Sequence, residues 1–288
     1  MTSSAFKTVL LFGKDGMLGS NVYEKLKNDT EIELIATSRR PKSKFYFDIR
    51  TSDLDKTLSQ YRPDYVINCL GVTDPKNQGL SNTLKVNSFF PLKLAKSISK
   101  RNIFLIQFSS DGVFFGSRGG YSEQSIRIPR SVYSISKILG EKDFGNTLII
   151  RSSIIGQNPQ NNSMSIINWF LNLPKNSTIY GYTNKYWNGI TSNVVSSLCK
   201  SIIMNSYKPE MVQHFIPRDS VSKYQLLMDL RDVFDRTDIV VRPEKIGFKT
   251  DRRLETNQVE TNELFWKLAG FEEIPTVKQM LSSLSNDL

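Results

Sequence analysis

Apolar runs alternate with amphipathic stretches through the first half of the chain. TVLLFG (8–13) is a run of buried-strand type that ends in glycine, and MLGSNVYEKLKN (17–28) follows with apolar residues at helical spacing. EIELIATS (31–38) and FYFD (45–48) predict strands, and SDLDKTLSQY (52–61) predicts a helix. YVINCLG (65–71) predicts a strand, and SNTLKVNSFFPLKLAKSISK (81–100) a helix. IFLIQFSS (103–110) leads to a glycine-rich loop, a helix holding VYSISK (132–137), and TLIIRSSIIG (147–156). Strands alternating with helices predict βαβ units and a parallel sheet covered on both faces.

After residue 156 the pattern changes. QNPQNNS (157–163) is polar and loop-like, while MSIINWFLNLP (164–174) and SVSKYQLLMDLRDVF (220–234) are helical. STIYGY (177–182) and DIVVRP (238–243) are short strand candidates, and TSNVVSSLCKSIIM (191–204) is a helix returning to the main sheet. The expected architecture is α/β: a Rossmann-like doubly wound parallel sheet with a smaller, discontinuous C-terminal lobe. Residues 1–156, with a returning segment at about 186–216, form the nucleotide-binding part; 157–185 and 217–288 form mainly the substrate lobe.

Composition narrows the class. At 288 residues the chain can bury a sizeable core, and it has no apolar run of membrane-spanning length. The N-terminal apolar run ends in a glycine turn, which reads as a first strand and not a signal peptide. Two cysteines, Cys69 and Cys199, make neither a disulfide framework nor a metal cluster, so a cytoplasmic location is expected. Cys69 falls in a strand run and reads as a small buried apolar residue. His214, the one histidine, begins the strand-like HFIPRD and reads as structural. The formal charge of +10 is spread along the chain without a basic cluster, which favours an anionic small substrate over nucleic acid.

Gly13, Gly16 and Gly19 stand as G-x-x-G-x-x-G between the first strand and its helix. Such a turn lets a pyrophosphate approach the backbone and the helix N-terminus, with Met17 and Leu18 at the helix head. The second strand then ends in Ser38, Arg39 and Arg40, where an NAD site would carry an acid for the ribose hydroxyls. A guanidinium suits a 2′-phosphate, so NADP(H) is the expected cofactor.

Tyr133 and Lys137 lie four apart, on one helix face. A free tyrosine titrates at about 10, and a neighbouring ammonium is expected to lower that value toward the range useful for general acid catalysis. The preceding strand end exposes Ser109, Ser110 and Asp111 at the same sheet edge.

With the glycine turn, the serine-bearing strand end and Y-x-x-x-K in this order, the chain resembles the extended short-chain dehydrogenases/reductases. Within them it is similar to the dTDP-4-dehydrorhamnose reductase branch of sugar-nucleotide reductases. The similarity runs through LLFGKDGMLGSNV, FDIR, YVINCLGVTD, LKVNSFFPLKLA, QFSSDGVFFGSRGGYSE, VYSISKILGE and LIIRSSIIG, and more loosely through YWNGIT and DRRLET. The resemblance implies that Tyr133 gives the proton to a sugar C4 keto oxygen. It implies that Lys137 lowers the tyrosine pKa and binds the nicotinamide ribose, and that Ser110 orients the carbonyl. Asp48 and Ile49 would flank the adenine, Cys69, Leu70 and Gly71 would line the cofactor with Ser109, and Asn87 would support the two neighbouring strand ends. Thr73, Asp111, Val113, Trp187, Asn188 and Arg253 are the candidate substrate contacts, and Arg252 with Arg253 could clamp a diphosphate. No metal is implied.

The substrate lobe departs from the branch's pattern. Ile154 and Ile155 stand where an aromatic is usual, and NKYWNGIT (184–191) replaces a motif with Gln and Pro. The sugar, its nucleotide and the oligomeric state, a homodimer among the options, stay open. Three classes follow: an NADPH-dependent 4-ketoreductase of a nucleotide-linked 4-keto-6-deoxy sugar in deoxysugar or polysaccharide precursor biosynthesis, an epimerase of the same superfamily, and a non-catalytic NADP-binding regulatory subunit. The absence of Glu from SSDGVFF counts against a dehydratase. The regulatory subunit of methionine adenosyltransferase resembles the same branch, so Y-x-x-x-K is compatible with the last class.

Overall fold

The computed structural model describes residues 6–142, 144–158, 165–247 and 250–286. Residues 159–163 of the expected polar loop lie outside the described residues. Five strands from the first half form the sheet: β1 (Lys7–Phe12), β2 (Ile32–Ala36), β3 (Tyr65–Asn68), β4 (Phe104–Ser109) and β5 (Thr147–Arg151). Met211–His214 joins them at one edge, in the order β2, β1, β3, β4, β5, Met211–His214. Every pairing is parallel, which makes this the expected Rossmann-like sheet.

Side chains alternate across each strand, so each strand feeds two cores. On one face Val9, Leu11, Ile67, Ile106 and Ile150 pack with Val22 and Leu26 of α1 (Met17–Leu26). The helix Ser192–Met204 joins this face through Val195, Leu198, Cys199 and Ile202. On the other face Leu10, Phe12, Val66 and Leu105 meet Leu54, Leu58, Phe90 and Leu94. Burial on both faces is why the strands read as continuous apolar runs. Truncating such a side chain to alanine costs about 2–5 kcal/mol.

Four local differences from the sequence pattern stand out. FYFD does not form a sheet strand; Ser38 and Tyr46 make one isolated bridge. Phe47 turns into the core against Phe12, 4.8 Å between ring centroids, and carries the chain inward to Asp48. Cys69 lies one residue past the end of β3 and is half-buried, because the chain opens there into a cleft. His214 ends its strand instead of beginning one, since pairing with β5 stops at Arg151. The helix expected over 81–100 runs through Leu80–Leu84 and Phe90–Ile98 with a widened π-type turn at Lys85–Phe89 between them. Pro91 has no N–H for the regular ladder, and Asn87 sits in that widened turn. Among the described residues, no helix is long and apolar enough to cross a membrane.

Candidate active site

The strand order reverses between β1 and β3, and a cleft of about 380 Å³ opens at their carboxyl ends. Gly13, Gly16, Ser38, Arg39, Asp48, Ile49, Cys69, Leu70, Gly71 and Thr73 line it. Met17, Leu18 and Gly19 form the first turn of α1. Gly13 has φ +86°, a conformation that favours glycine, and Gly19 packs so closely that an added Cβ would lie 2.0 Å from the Gly13 oxygen. Gly16 differs: a Cβ there would meet protein no nearer than 3.5 Å. It is also the N-cap of α1, and no side chain caps that helix start. These features fit a pyrophosphate, which would take the helix-start N–H groups as its donors.

Charged side chains ring the cleft. The Ser38 hydroxyl donates to the Asp15 carboxylate and accepts from the Arg40 amide at 3.1 Å. Arg40 also lies 3.7 Å from Asp15. Ser38 therefore has its one hydroxyl proton committed, and Arg39 is the member of the Ser38–Arg39 pair with a charge to offer a phosphate. Asp48 is buried and bound by Arg50 at 2.5–3.1 Å; this guanidinium holds its carboxyl down at about 2.

The helix Val132–Gly140 is capped by Ser131, whose hydroxyl accepts from the Ser134 amide at 3.1 Å. It carries Tyr133 against the short turn Asp111–Val113 that follows β4; a Cβ added to Gly112 would lie 3.1 Å from the Tyr133 ring. Ser110 hydrogen-bonds Tyr133, and its hydroxyl reaches Asp111 Oδ1 at 3.1 Å and accepts from the Gly112 amide at 3.0 Å. Ser109 is buried at the end of β4. Lys137 Nζ donates to the Phe108 carbonyl at 3.2 Å and lies 3.8 Å from where a Cβ on Gly71 would stand. The ammonium thus faces the floor of the cleft.

The electrostatics differ from the expected tuning. Burial raises the Tyr133 pKa above its ordinary value, with the hydrogen bond to Ser110 acting against it. Burial lowers Lys137 to about 8, opposed by Glu141. Desolvation dominates the phenol, and the Lys137 ammonium is turned to a backbone carbonyl. Tyr133 is protonated at neutral pH, as a proton donor must be, and the raised value makes it a weaker acid than a free phenol.

Asn87 is fixed by three bonds. It accepts from the Val72 amide at 2.9 Å, and donates to the Val72 carbonyl at 2.8 Å and the Ser136 hydroxyl at 3.0 Å. It supports the end of β3 and the Tyr133 helix, whereas support of both strand ends was expected.

The candidate substrate contacts divide. Asp111 lies beside Ser110, and burial raises its pKa while Arg252 and Lys223 oppose that rise. Thr73 lines the cleft between β1 and β3. Val113 is fully buried among Phe114, Tyr121 and Leu254. Trp187 is buried with its indole N–H on Ser153 at 2.8 Å. Asn188 spends its amide on both backbone groups of Leu254, at 2.8 and 3.0 Å. Arg253 makes two 2.7 Å bonds to Asp251 and stacks over Tyr186. Of the two adjacent arginines, Arg252 is the one whose charge acts on Tyr133 and Asp111.

Residues 7–245 match the profile of the family described as RmlD substrate binding domain. The chain belongs to this family. It is 23% identical over 251 residues to methionine adenosyltransferase 2 subunit beta of Xenopus tropicalis, covering 82% of this chain and 75% of the relative. In fold it is similar to dTDP-4-dehydrorhamnose reductase from Bacillus anthracis, solved with NADP: TM-score 0.80, 19% identity, covering 98% and 99% of the two chains. UDP-glucose 4-epimerase from Thermotoga maritima, solved with UDP-glucose, superposes with TM-score 0.74 at 17% identity, covering 97% of each chain.

In this RmlD-family chain the geometry also brings in residues that the sequence reading passed over. Glu141 stands four residues after Lys137, a spacing that could have flagged it. It is buried, receives two bonds from Arg151 at 2.9 and 2.8 Å, and takes a third from Arg127 at 2.7 Å. Burial would raise its pKa, but these arginines and Ser109 hold it below the ordinary value. Lys223 gave no local signal, because long-range strand pairing places it.

Proposed function

We propose that this chain reduces the C4 keto group of a nucleotide-linked sugar with NADPH. The resemblance implies a 4-keto-6-deoxy sugar. When bound, the cofactor supplies the hydride. Tyr133 gives its proton to the oxygen that becomes an alkoxide, Ser110 holds that oxygen, and Lys137 takes the nicotinamide ribose. Arg39 holds the 2′-phosphate. The sugar lies over the lobe of residues 157–185 and 217–288, and the cofactor over 1–156 with the 186–216 segment.

The carrying observation is that Ser110 meets Tyr133 one helical turn from Lys137, whose Nζ borders Gly71 at the floor of the cleft. The solved neighbours that bind NADP and a nucleotide sugar support the same reading. The location proposed is the cytoplasm, in keeping with two free thiols. A homodimer is proposed from the exposed Val132, Ile135 and Leu139, which share the outer face of the Tyr133 helix.

The relatives named methionine adenosyltransferase 2 subunit beta favour a second reading, a non-catalytic cofactor-binding subunit. One experiment separates the two. The purified protein is mixed with NADPH and a panel of 4-keto sugar nucleotides, and the absorbance of the reduced nicotinamide is followed. Consumption dependent on the sugar establishes the reductase. Tight NADPH binding without consumption across the panel establishes the subunit.

A further inference from the structure

Two cations from the C-terminal lobe converge on the acid end of the site. A three-stranded sheet sets their positions: Val221–Ser222 and Thr250–Asp251 flank Lys185–Trp187 on opposite sides. Ser222 and Asp251 both pair with Tyr186. Lys223 follows Ser222 and Arg252 follows Asp251, so the two cations leave this sheet at the same level. The Asp251 amide donates to the Gly116 carbonyl at 2.9 Å, which ties the sheet to the segment following Asp111. The Arg252 stem lies against Gly116, 2.7 Å from where a Cβ would stand. Lys223 Nζ lies 5.4 Å from the centre of the Trp187 ring.

Their charges act on one place. Both bear on Asp111, and Arg252 bears on Tyr133 as well. Burial lowers the Lys223 pKa, and Asp111 opposes the shift. Arg252 Nε is buried with no hydrogen-bond partner. Two cations and one carboxylate leave one positive charge beside the tyrosine, with an unused N–H to present. A desolvated cation is costly without an acceptor. A sugar methyl group packed here would return nothing for that cost. A monoanion would give Arg252 and Lys223 an acceptor and bring the local charge to zero.

We propose that Lys223 and Arg252 form a subsite for a carboxylate on the sugar ring, so that the substrate class is a nucleotide-linked keto sugar acid. The C5 substituent of a hexose neighbours C4, so a carboxylate there sits within a few ångströms of the carbonyl that Tyr133 serves. This inference rests on the nucleotide-sugar reading, and it replaces the 6-deoxy sugar with an acidic one.

The test is equilibrium titration of the full chain, saturated with NADP, against unreactive probes that differ at one group. UDP-glucuronic acid is compared with UDP-glucose, and dTDP-glucuronic acid with dTDP-glucose. The acid of at least one pair is expected to bind tenfold or more tightly than its neutral partner. Lys223→Met and Arg252→Met should each erase most of that preference while NADP affinity stays near wild type. Equal wild-type affinity within each pair overturns the subsite and leaves the nucleotide-sugar reading standing. A preference that survives both substitutions puts the carboxylate elsewhere and also overturns it. Failure of the wild type to bind any of the four overturns this inference, and the nucleotide-sugar reading is then judged by the NADPH-consumption panel. Where a variant does not fold, equal wild-type affinities within each pair still overturn the subsite.

Discussion

The ammonium of Lys137 donates to the carbonyl of Phe108 at 3.2 Å, at the end of β4 and next to the floor of the cleft. Its pKa is lowered to about 8 by burial. The ammonium is therefore present below that pH and is lost above it. NADPH affinity and turnover should both fall as pH rises through about 8, and the Lys137→Met variant should lack this basic limb. Stability should move the other way. The unfolded lysine titrates near 10.5 and keeps its proton longer, so this group contributes rising stability between about 8 and 10.5. A pH series of NADPH titrations beside thermal melts checks both signs.

Gly16 should be replaceable as far as the fold is concerned. An added Cβ meets only the Gly13 oxygen, at 3.5 Å, and the backbone there is extended with φ −82°. Gly16→Val should therefore fold with Tm close to wild type, while its side chain fills the space a pyrophosphate needs. NADPH titration by fluorescence should show affinity reduced at least tenfold. Unchanged affinity in a folded variant would reduce the turn to a packing device. Gly19→Val, with a contact of 2.0 Å to backbone, should instead fail to fold.

Cofactor choice should rest on Arg39. Ser38 is engaged by Asp15 and the Arg40 amide, and Arg40 is drawn to Asp15. Arg39→Ala should weaken NADPH about tenfold or more, the scale of a lost charge-assisted contact to phosphate at about 1.5–3 kcal/mol. NADH should be nearly unaffected. Equal losses for both cofactors would remove the 2′-phosphate from this arginine.

Glu141 links the Tyr133 helix to β5 through Arg151, with both side chains buried. Glu141→Ala leaves the guanidinium uncompensated, a change that costs about 3–5 kcal/mol. Chemical denaturation should show a loss of that order. Glu141→Gln should lose less stability and still shift the basic limb of the NADPH titration downward, because Glu141 opposes the fall in the Lys137 pKa.

Much of this was legible in the chain. Strands buried on both faces must be apolar throughout, so TVLLFG, YVIN and FLIQFS announced the parallel sheet and its order along the sequence. The glycine turn was legible because its positions answer to local geometry at Gly13 and Gly19. The direction of the Tyr133 shift was not: it depends on how deeply Gly112 and Ser110 enclose the ring, which spacing along a helix does not report. Nor was the substrate side. Trp187, Asn188 and Arg253 looked available in sequence, yet Ser153, Leu254 and Asp251 occupy them. Lys223 and Arg252 follow Ser222 and Asp251, whose pairings with Tyr186 join distant segments.

The proposed reduction turns on Tyr133 as its proton donor. Tyr133→Phe keeps the ring that packs on Gly112 and deletes the hydroxyl. The decisive measurement is the single-turnover rate of NADPH oxidation by this variant beside wild type, on the best 4-keto sugar nucleotide, with NADPH affinity measured in parallel. Affinity is expected within about twofold of wild type, and the rate reduced about a hundredfold or more, the range for a lost general acid. A variant that oxidises NADPH at a near-normal rate would contradict it.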